Sequence, residues 1–173
     1  MRDLYIDFDG VIKDTIKVSY KMMEDLGIKL SDKEKVIKFY KEIDWNYLLN
    51  ISEEINKAYY YINVIQKEKV FNPKILTTVN SLEEIKAKLN DIRKHCKEVS
   101  VISSPSGISK ALIVNPRNSI LVDDFKGNLY SWEKEGGIGV KFDNTISSEF
   151  TTINSLEEFT KKELCKTMLL RRN

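Results

Sequence analysis

Two aspartates separated by one residue follow a short apolar run near the start of the sequence. Residues 4–6 favour a short buried strand and Gly10 is a typical breaker, so Asp7 and Asp9 come where the backbone leaves the strand. Because side chains alternate along a strand, the two carboxylates can point the same way and share one ligand or one metal. Such a pair suits phosphoryl transfer or metal binding, and the alternative is a turn with two solvated acids.

The composition limits the class of protein. The chain has 173 residues, of which 42% are hydrophobic, which is enough for one core and a small subdomain. The formal net charge is only +2, which does not favour a nucleic-acid partner and suits a small anionic substrate. No apolar run approaches membrane-spanning length, and residues 1–6 do not resemble a secretion signal. We therefore expect a cytoplasmic protein without a membrane partner.

The cysteines and the histidine offer little chemistry. Cys96 and Cys165 stand apart, and His95 is the only histidine. Zinc sites need clustered Cys and His, so a zinc site is not expected. His95 and Cys96 are neighbours on a charged helical segment and point to different sides, which argues against a nucleophile and base pair.

Helical patterns fill the sequence between the first strand and about residue 71. One helix is predicted from Thr15 to Gly27, a capping box at residues 31–34 predicts a second, and a third is predicted from about Ser52. The next strand is expected at residues 74–78, so the gap is about twice what a simple crossover helix needs. We predict a small all-helical cap (15–71) inserted after the first strand of a core domain (1–14 and 72–173).

From residue 73 onward, apolar strands alternate with helices. Strands are predicted at residues 99–103, 119–122 and 138–142. Capping boxes at Ser81 and Ser155 predict helix starts, a short helix is predicted at residues 108–113, and the closing helix is predicted to end at the basic residues Arg171 and Arg172. This alternation predicts an α/β fold, a Rossmann-like parallel sheet with helices on both faces.

Further polar residues follow the later strands. Thr77 and Thr78 end one predicted strand, Asp123 and Asp124 end another, and Lys110 opens the helix between them. Since the carboxyl ends of parallel strands meet at one edge of a sheet, these groups are expected to converge on the first aspartate pair. Two adjacent acids that terminate a buried strand are costly unless a cation or water compensates them. The pattern predicts one polar site that suits a hard cation such as Mg²⁺.

In this order the segments resemble the motifs of the haloacid dehalogenase (HAD) superfamily, phosphatase branch. Residues 7–11 followed by 14–15 resemble the first motif, and residues 120–142 resemble the C-terminal half of small 5′(3′)-deoxyribonucleotidase-like proteins. The resemblance implies that Asp7 attacks phosphorus and forms an aspartyl-phosphate, while Asp9 acts as general acid and then as general base. A glycosyltransferase would carry its DxD motif well inside a larger domain, and a receiver domain has the opposite order of acids.

The resemblance also implies roles for the residues at the later strand ends. Thr77 is similar to the hydroxyl of the second motif, which binds a phosphoryl oxygen, and Thr78 can share that task. Lys110 is similar to the lysine of the third motif, which neutralises the attacking carboxylate and the phosphate. Asp123 and Asp124 resemble the fourth motif.

The same resemblance implies Mg²⁺ as the cofactor. Its ligands would be Asp7, the carbonyl of Asp9 and one acid of the later pair. Nucleotidase-like relatives favour Asp124 as the direct ligand, with Asp123 behind it.

The substrate depends on the aromatic inserted segment. Trp45 and Tyr47 lie near a predicted helix junction and are our candidates for a wall on which a base stacks. The alternative is that these rings pack the helices of the cap. The sequence therefore predicts a Mg²⁺-dependent phosphatase for a small phosphorylated substrate, with a nucleoside monophosphate as the best choice. Two alternatives remain: a 3′-phosphatase on nucleic-acid ends, and a catalytically inert phosphate-binding relative.

Overall fold

The strands of this computed structural model, which describes residues 1–170, form one parallel sheet. They are β1 (Arg2–Ile6), β2 (Phe71–Val79), β3 (Ser100–Pro105), β4 (Ile120–Asp123), β5 (Ile138–Phe142) and β6 (Thr151–Ile153). Their order across the six-stranded sheet is β3-β2-β1-β4-β5-β6. The predicted Rossmann-like parallel sheet is therefore confirmed.

Strand β1 lies in the middle of the sheet, where the strand order reverses direction. Leu4 pairs with Pro73 of β2 on one side and with Ile120 of β4 on the other. Beyond the strand, the backbone N–H of Asp7 donates to the carbonyl of Val122 at 2.9 Å. In open α/β sheets, ligands bind outside the carboxyl ends of the strands at such a reversal. Asp7 lies at this position.

Four helices separate β1 from β2, where the helical patterns predict three. They are α1 (Thr15–Asp25), α2 (Lys33–Glu42), α3 (Trp45–Ile51) and α4 (Ala58–Glu68). The later helices are α5 (Leu82–His95), α6 (Lys110–Ile113), α7 (Lys126–Lys134), a 3-10 helix (Leu156–Thr160) and α8 (Lys162–Leu170). Among the residues searched, no helix is both long and apolar enough to cross a membrane. The predicted helix end at Arg171 and Arg172 lies outside the described residues.

Apolar side chains from the two faces of the sheet enter two separate cores. Leu4 and Ile6 of β1 belong to a core with residues of α4, α5 and the 3-10 helix, whereas Tyr5 belongs to a second core with Trp132 of α7. This division follows from the alternation of side chains along the strand. Helices on both faces of the sheet are thus confirmed. Helix α4 packs on β2 and on the 3-10 helix, so the last helix of the predicted cap covers the sheet itself.

Two predicted helix starts in the inserted segment are wrong. Helix α2 is capped by Asp32, whose carboxylate accepts a hydrogen bond from the N–H of Lys35, so the capping box at residues 31–34 is not formed. Ser52 ends α3 instead of opening a helix, and its hydroxyl donates to the carbonyl of Leu48 at 2.7 Å. Asn56 and Lys57 have φ values of 45° and 57°, so the backbone breaks there and α4 begins afterwards.

The C-terminal elements also differ from the prediction. Ser155 caps the 3-10 helix, with its Oγ accepting from the N–H of Glu157 at 3.2 Å, and α8 begins only at Lys162. Strand β6 is not predicted by the sequence, because it is only three residues long. In contrast, Ser81 caps α5 as predicted, and its Oγ accepts from the N–H of Glu84 at 3.1 Å.

Candidate active site

The floor of the candidate site is a lysine held between two aspartates. Lys110 is the first residue of α6, and its Nζ lies 2.7 Å from Oδ1 of Asp7 and 2.7 Å from Oδ2 of Asp123. The N–H of Phe8 also donates to Oδ1 of Asp7 at 2.8 Å. Strands β1 and β4 and helix α6 thus bring Asp7 together with two groups that lie more than a hundred residues later in the sequence.

Burial strongly affects the charges on this floor. It raises the pKa of Asp7 to about 8, because the opposing effect of the Lys110 charge is smaller than the cost of desolvation. Burial alone would lower the pKa of Lys110, but the charges of Asp7 and Asp123 raise it above its usual value. The lysine is therefore an ammonium ion, and Asp7 needs a further cation nearby to be fully ionised at neutral pH.

The two acids at the end of β4 have different surroundings. Asp123 is completely buried, and its carboxylate accepts from the N–H of Phe125 and the Nδ2 of Asn128, both at 2.9 Å, besides pairing with Lys110. Asp124 instead lies against Gly10, where an added Cβ would be 2.4 Å from Oδ2 of Asp124. Gly10 has φ +74°, so both its backbone conformation and its close contact favour glycine.

Three of these carboxylates form a group that suits a divalent cation. Asp7, Asp123 and Asp124 each offer a carboxylate oxygen within 4.8 Å of the others. Burial, followed by the charge of Asp123, raises the pKa of Asp124 to about 6, and no donor in the described part of the chain hydrogen-bonds its carboxylate. Hard oxygen ligands of this kind fit Mg²⁺. Since both carboxylate oxygens of Asp123 already accept hydrogen bonds from protein groups, Asp7 and Asp124 are the better placed metal ligands.

The carboxylate of Asp9 lies outside this group and is held by two other elements. Its Oδ1 accepts from Oγ1 of Thr15 at 2.7 Å, and its Oδ2 lies 2.5 Å from Nζ of Lys88. Lys88 belongs to α5 and is completely buried. Its Nζ also donates to Oγ1 of Thr77 at 3.0 Å and to Oε1 of Glu84 at 2.7 Å.

Lys88 is not among the predicted site residues, although the sequence carries a signal for it. The buried residues of α5 follow the spacing of a core-facing helical stripe: Glu84, Ala87, Lys88, Asp91 and Ile92. Three of the five are charged. Charged residues at core positions are rare unless they are paired, so this stripe indicates a buried polar network.

The two threonines at the end of β2 have different positions. The side chain of Thr77 is completely buried and contacts Lys88. Thr78 is half-buried and lines the pocket above Asp7, as do Asn80 and Ser106. Thr78 is therefore the threonine that lines the pocket, whereas Thr77 lies behind it against Lys88.

A pocket of about 390 Å³ lies above the carboxylates. Its upper wall comes from α1, α2 and α3 and contains Thr15, Ile16, Ser19, Val36, Ile37, Tyr40, Trp45 and Leu48. Trp45 is only 5% exposed, and its ring stacks on that of Tyr40 with centroids 6.0 Å apart. Trp45 thus both lines the pocket and packs the helices.

Tyr47 does not line this pocket. It is 54% exposed and lines a separate groove together with Met22 and Phe39. Two positions apart on a helix correspond to a rotation of about 200°, so Trp45 and Tyr47 face opposite sides of α3.

The charged residues that line the pocket are all acidic. They are Asp7, Asp9, Glu84 and Asp124, and none of the described lining residues is lysine or arginine. The two lysines of the site, Lys88 and Lys110, lie below the surface of the pocket. A second anionic group on a ligand would therefore meet no positive charge in the upper wall.

The fold, with its sheet order and inserted helices, is similar to that of solved HAD-superfamily hydrolases. A phosphonoacetaldehyde hydrolase-like protein from Oleispira antarctica matches with a TM-score of 0.66 and 8% identity, over 99% of this chain and 95% of that chain. A subfamily IA HAD hydrolase from Geobacter sulfurreducens matches with a TM-score of 0.62 and 14% identity, over 92% and 98%.

CbbY from Rhodobacter sphaeroides, solved in complex with phosphate, matches with a TM-score of 0.62 and 12% identity, over 96% of this chain and 99% of that chain. No protein-family profile matches the sequence, and neither does any curated protein. The chain has the HAD-superfamily hydrolase fold, and its chemistry must be argued from its own site.

Proposed function

We propose that this protein is a Mg²⁺-dependent phosphomonoester hydrolase of the HAD superfamily that acts through an aspartyl-phosphate on Asp7. The observation that carries the proposal is the buried cluster of Asp7, Lys110, Asp123 and Asp124 at the floor of a pocket, where the strand order reverses. Lys110 supplies one positive charge, and the carboxylates of Asp7 and Asp124 suit a divalent cation that supplies more.

In the first step, a carboxylate oxygen of Asp7 attacks phosphorus while the bond from phosphorus to the leaving oxygen breaks. Asp9 enters this step protonated and gives its proton to that oxygen, so the product leaves as an alcohol. Lys110 offsets the negative charge around the reacting phosphate, and the hydroxyl of Thr78 binds one of its oxygens. Mg²⁺, when held by Asp7, Asp124 and the carbonyl of Asp9, supplies further positive charge to the phosphate and to Asp7.

In the second step, a water molecule attacks the phosphorus of the aspartyl-phosphate. Asp9, now ionised, takes the proton of the water, and the bond from phosphorus to Asp7 breaks. Phosphate leaves and the Asp7 carboxylate is restored. The placement of Asp9 supports this exchange of proton-transfer roles, because its side chain lines the pocket beside Asp7.

A nucleoside monophosphate is the substrate that the pocket supports best. Tyr40 and Trp45 offer aromatic surface to a base, and Ile16 and Ile37 add apolar wall. The acidic lining disfavours a second phosphate on the substrate. The same lining argues against a 3′-phosphatase on nucleic-acid ends, because such an enzyme needs positive charge along the nucleic-acid backbone.

The test is a panel of nucleoside monophosphates, sugar phosphates and 3′-phosphorylated oligonucleotides, assayed by phosphate release with Mg²⁺ and with a chelator. We expect Mg²⁺-dependent release from a nucleoside monophosphate and none with the chelator. Preference for the oligonucleotide, with a rate that falls steeply as salt is added, would support the 3′-phosphatase instead. Release from no phosphomonoester would favour the inert phosphate-binding alternative.

A further inference from the structure

Lys88 has no role in the reaction described above, although it is a completely buried charge beside Asp9. Burying an ammonium ion is expensive, and a lysine in such a place is retained only where its partners compensate it. From its contacts, we propose that Lys88 is a positioning residue that fixes the carboxylate of Asp9 toward the leaving oxygen. The inference rests on the proposed hydrolase function.

The geometry places Lys88 behind Asp9, away from the substrate. The side chain of Lys88 has 0% exposure and does not line the pocket, whereas that of Asp9 has 20% exposure and does. Lys88 therefore cannot touch a ligand in this pocket and acts only through other residues. Its shortest contact is the 2.5 Å ion pair with Oδ2 of Asp9.

Two elements together determine the orientation of the Asp9 carboxylate. Thr15 at the start of α1 binds Oδ1, and Lys88 of α5 binds Oδ2. One hydrogen bond would leave the carboxylate free to rotate about it, whereas two bonds from opposite sides fix its plane. A small displacement of a reacting group can cost about 100-fold in rate, so this second anchor matters for proton transfer to the leaving group.

Lys88 is itself held in place by its surroundings. Glu84 lies one helical turn earlier on α5 and pairs with it at 2.7 Å. The rings of Phe8 and Trp45 lie with their centroids 5.4 Å and 5.2 Å from its Nζ. Trp45 comes from α3, so the position of Lys88 depends on both the sheet side of the site and the helices above it.

A purely structural role is the alternative, in which Lys88 serves only to neutralise Glu84. Replacing Lys88 alone cannot separate the two roles, because it leaves an unpaired carboxylate in the core. The double variant Lys88→Met with Glu84→Gln removes both charges, and it is compared with Glu84→Gln alone. This comparison isolates what the ammonium does for Asp9.

The discriminating measurement is kcat/KM on two substrates with different leaving groups, a nucleoside monophosphate and p-nitrophenyl phosphate. The nucleoside alkoxide needs the proton of Asp9, whereas p-nitrophenolate leaves without one. We expect kcat/KM of the double variant to be about 100-fold lower than that of Glu84→Gln on the nucleotide, and less than about 5-fold lower on p-nitrophenyl phosphate. Equal losses on the two substrates, or no loss on either, would overturn the inference.

A matched control removes another buried lysine and carboxylate pair outside the pocket. Lys13 lies 3.4 Å from Asp91, and the side chains are 10% and 9% exposed. In Lys13→Met with Asp91→Asn, we expect the two substrates to be affected equally. If the Lys88 double variant does not fold, Lys88→Gln with Glu84→Gln replaces it, because the two amides can hydrogen-bond to each other. Its kcat/KM is then measured on the same two substrates.

The failure of this inference can be told apart from failure of the proposed function. A wild-type protein with no Mg²⁺-dependent turnover overturns the function and the inference together. If the wild type turns over the nucleotide but kcat/KM of the double variant falls equally on both substrates, only the role of Lys88 is overturned.

Discussion

At the scale of single residues, the site consists of carboxylates whose ionisation depends on nearby cations. Lys110 pairs with Asp7 and Asp123, and Lys88 pairs with Asp9. Asp124 forms no ion pair among the described residues, although the charge of Lys141 opposes the effect of burial on its pKa. Charges this deeply buried are stable only when they are paired. The cluster therefore suits a further cation, and its members have testable dependences on one another.

Replacing the nucleophile tests the proposed chemistry directly. We expect Asp7→Asn to lower turnover by at least about 1,000-fold, because the amide cannot form the aspartyl-phosphate. The pKa of Asp7 is raised, so the protein gains little from the ionised carboxylate and should stay folded without it. Thermal unfolding should give a melting temperature within about 5 °C of the wild type, which corresponds to about 1–2 kcal/mol for a chain of this size. A folded Asp7→Asn variant with full activity would end the proposal.

The effect of Mg²⁺ on stability should depend on pH. Burial raises the pKa of Asp7 to about 8 and that of Asp124 to about 6, so at about pH 5.5 a cation must displace protons from both ligands. Because both groups hold protons more tightly in the folded state, they reduce the stability of the metal-free protein as pH rises from about 4 to about 8. We expect the rise in melting temperature on adding Mg²⁺ to be larger at about pH 8 than at about pH 5.5.

Asp124→Asn serves as the control for this pH dependence. It removes one proposed ligand, so the rise in melting temperature on adding Mg²⁺ should be smaller at every pH. The metal-free protein is measured in a chelator at the same pH values. An equal stabilisation by Mg²⁺ at both pH values in the wild type would contradict the prediction.

The positions at strand ends were predictable from the sequence, whereas Lys88 in the interior of a helix was not. Asp7, Asp123 and Thr78 follow apolar strands, and parallel strands bring such positions to one edge whatever the length of chain between them. Lys88 reaches the site from the interior of α5, and its contact with Asp9 depends on how that helix packs. Tyr47 was predicted beside the substrate, but its side of α3 depends on a helix boundary that the sequence does not define.

At the scale of elements, α1, α2 and α3 form the upper wall of the pocket and so control what can approach Asp7. Helix α4 instead packs on β2 and the 3-10 helix. The four inserted helices therefore differ in position: α4 covers the sheet, whereas α1, α2 and α3 line the pocket. Changes in α2 should affect selectivity more than stability where the side chain is already exposed.

Adding a positive charge to the pocket wall should change the preference between substrates. Ile37 lines the pocket and is 53% exposed, so Ile37→Lys adds an ammonium ion without burying it. We expect kcat/KM for a nucleoside 3′,5′-bisphosphate, relative to the monophosphate, to rise by about 1.5- to 5-fold, since an exposed ion pair contributes about 0.2–1 kcal/mol. Added salt should reduce this rise in the kcat/KM ratio.

Tyr47→Lys is the matched control for this change. It adds the same charge on α3, but Tyr47 faces a different groove and is equally exposed to solvent. The ratio between the two substrates should stay at the wild-type value. A similar rise in both variants would mean that the overall charge matters and the pocket wall does not.

The elements that were predicted correctly have strong local patterns. Strand β5 has the predicted bounds, and α5 begins at its Ser81 cap. The inserted segment was predicted less well, because residues 52–57 between α3 and α4 include two with left-handed backbone conformations, Asn56 and Lys57, that are neither glycine nor proline. Strand β6 has only three residues and joins the sheet through its contact with β5, which no local pattern reveals.

At the scale of the whole molecule, the site lies at one edge of the sheet and much of the apolar packing lies elsewhere. Phe159 of the 3-10 helix is completely buried, and its ring packs edge-on against that of Phe71 at the start of β2, with centroids 5.5 Å apart. This contact joins a late segment of the chain to the opposite end of the strand from Thr78. Stability and activity are therefore separable.

Truncating Phe159 should lower stability without changing the chemistry. We expect Phe159→Ala to reduce the free energy of unfolding by about 3–5 kcal/mol, as large cavities in a core do. Urea denaturation measures this loss. Because Phe159 does not line the pocket, kcat well below the melting temperature should stay within about 2-fold of the wild type.

Ile146→Ala provides the surface comparison for Phe159→Ala. Ile146 is 89% exposed, so its truncation should change the free energy of unfolding by less than about 0.5 kcal/mol. A large fall in kcat for Phe159→Ala at a temperature where the variant is folded would contradict the separation of core and site.

The central place of β1 has a consequence for the newly made chain. Leu4 pairs with Ile120, which is synthesised 116 residues later. At about 5–20 residues per second, the ribosome needs on the order of ten seconds to make the second neighbour of this strand. Until then, β1 has at least one edge without its partner, and unpaired apolar edges attract other strands. Asp7 meets Lys110 and Asp123 only after that interval, so the candidate site is assembled late in translation.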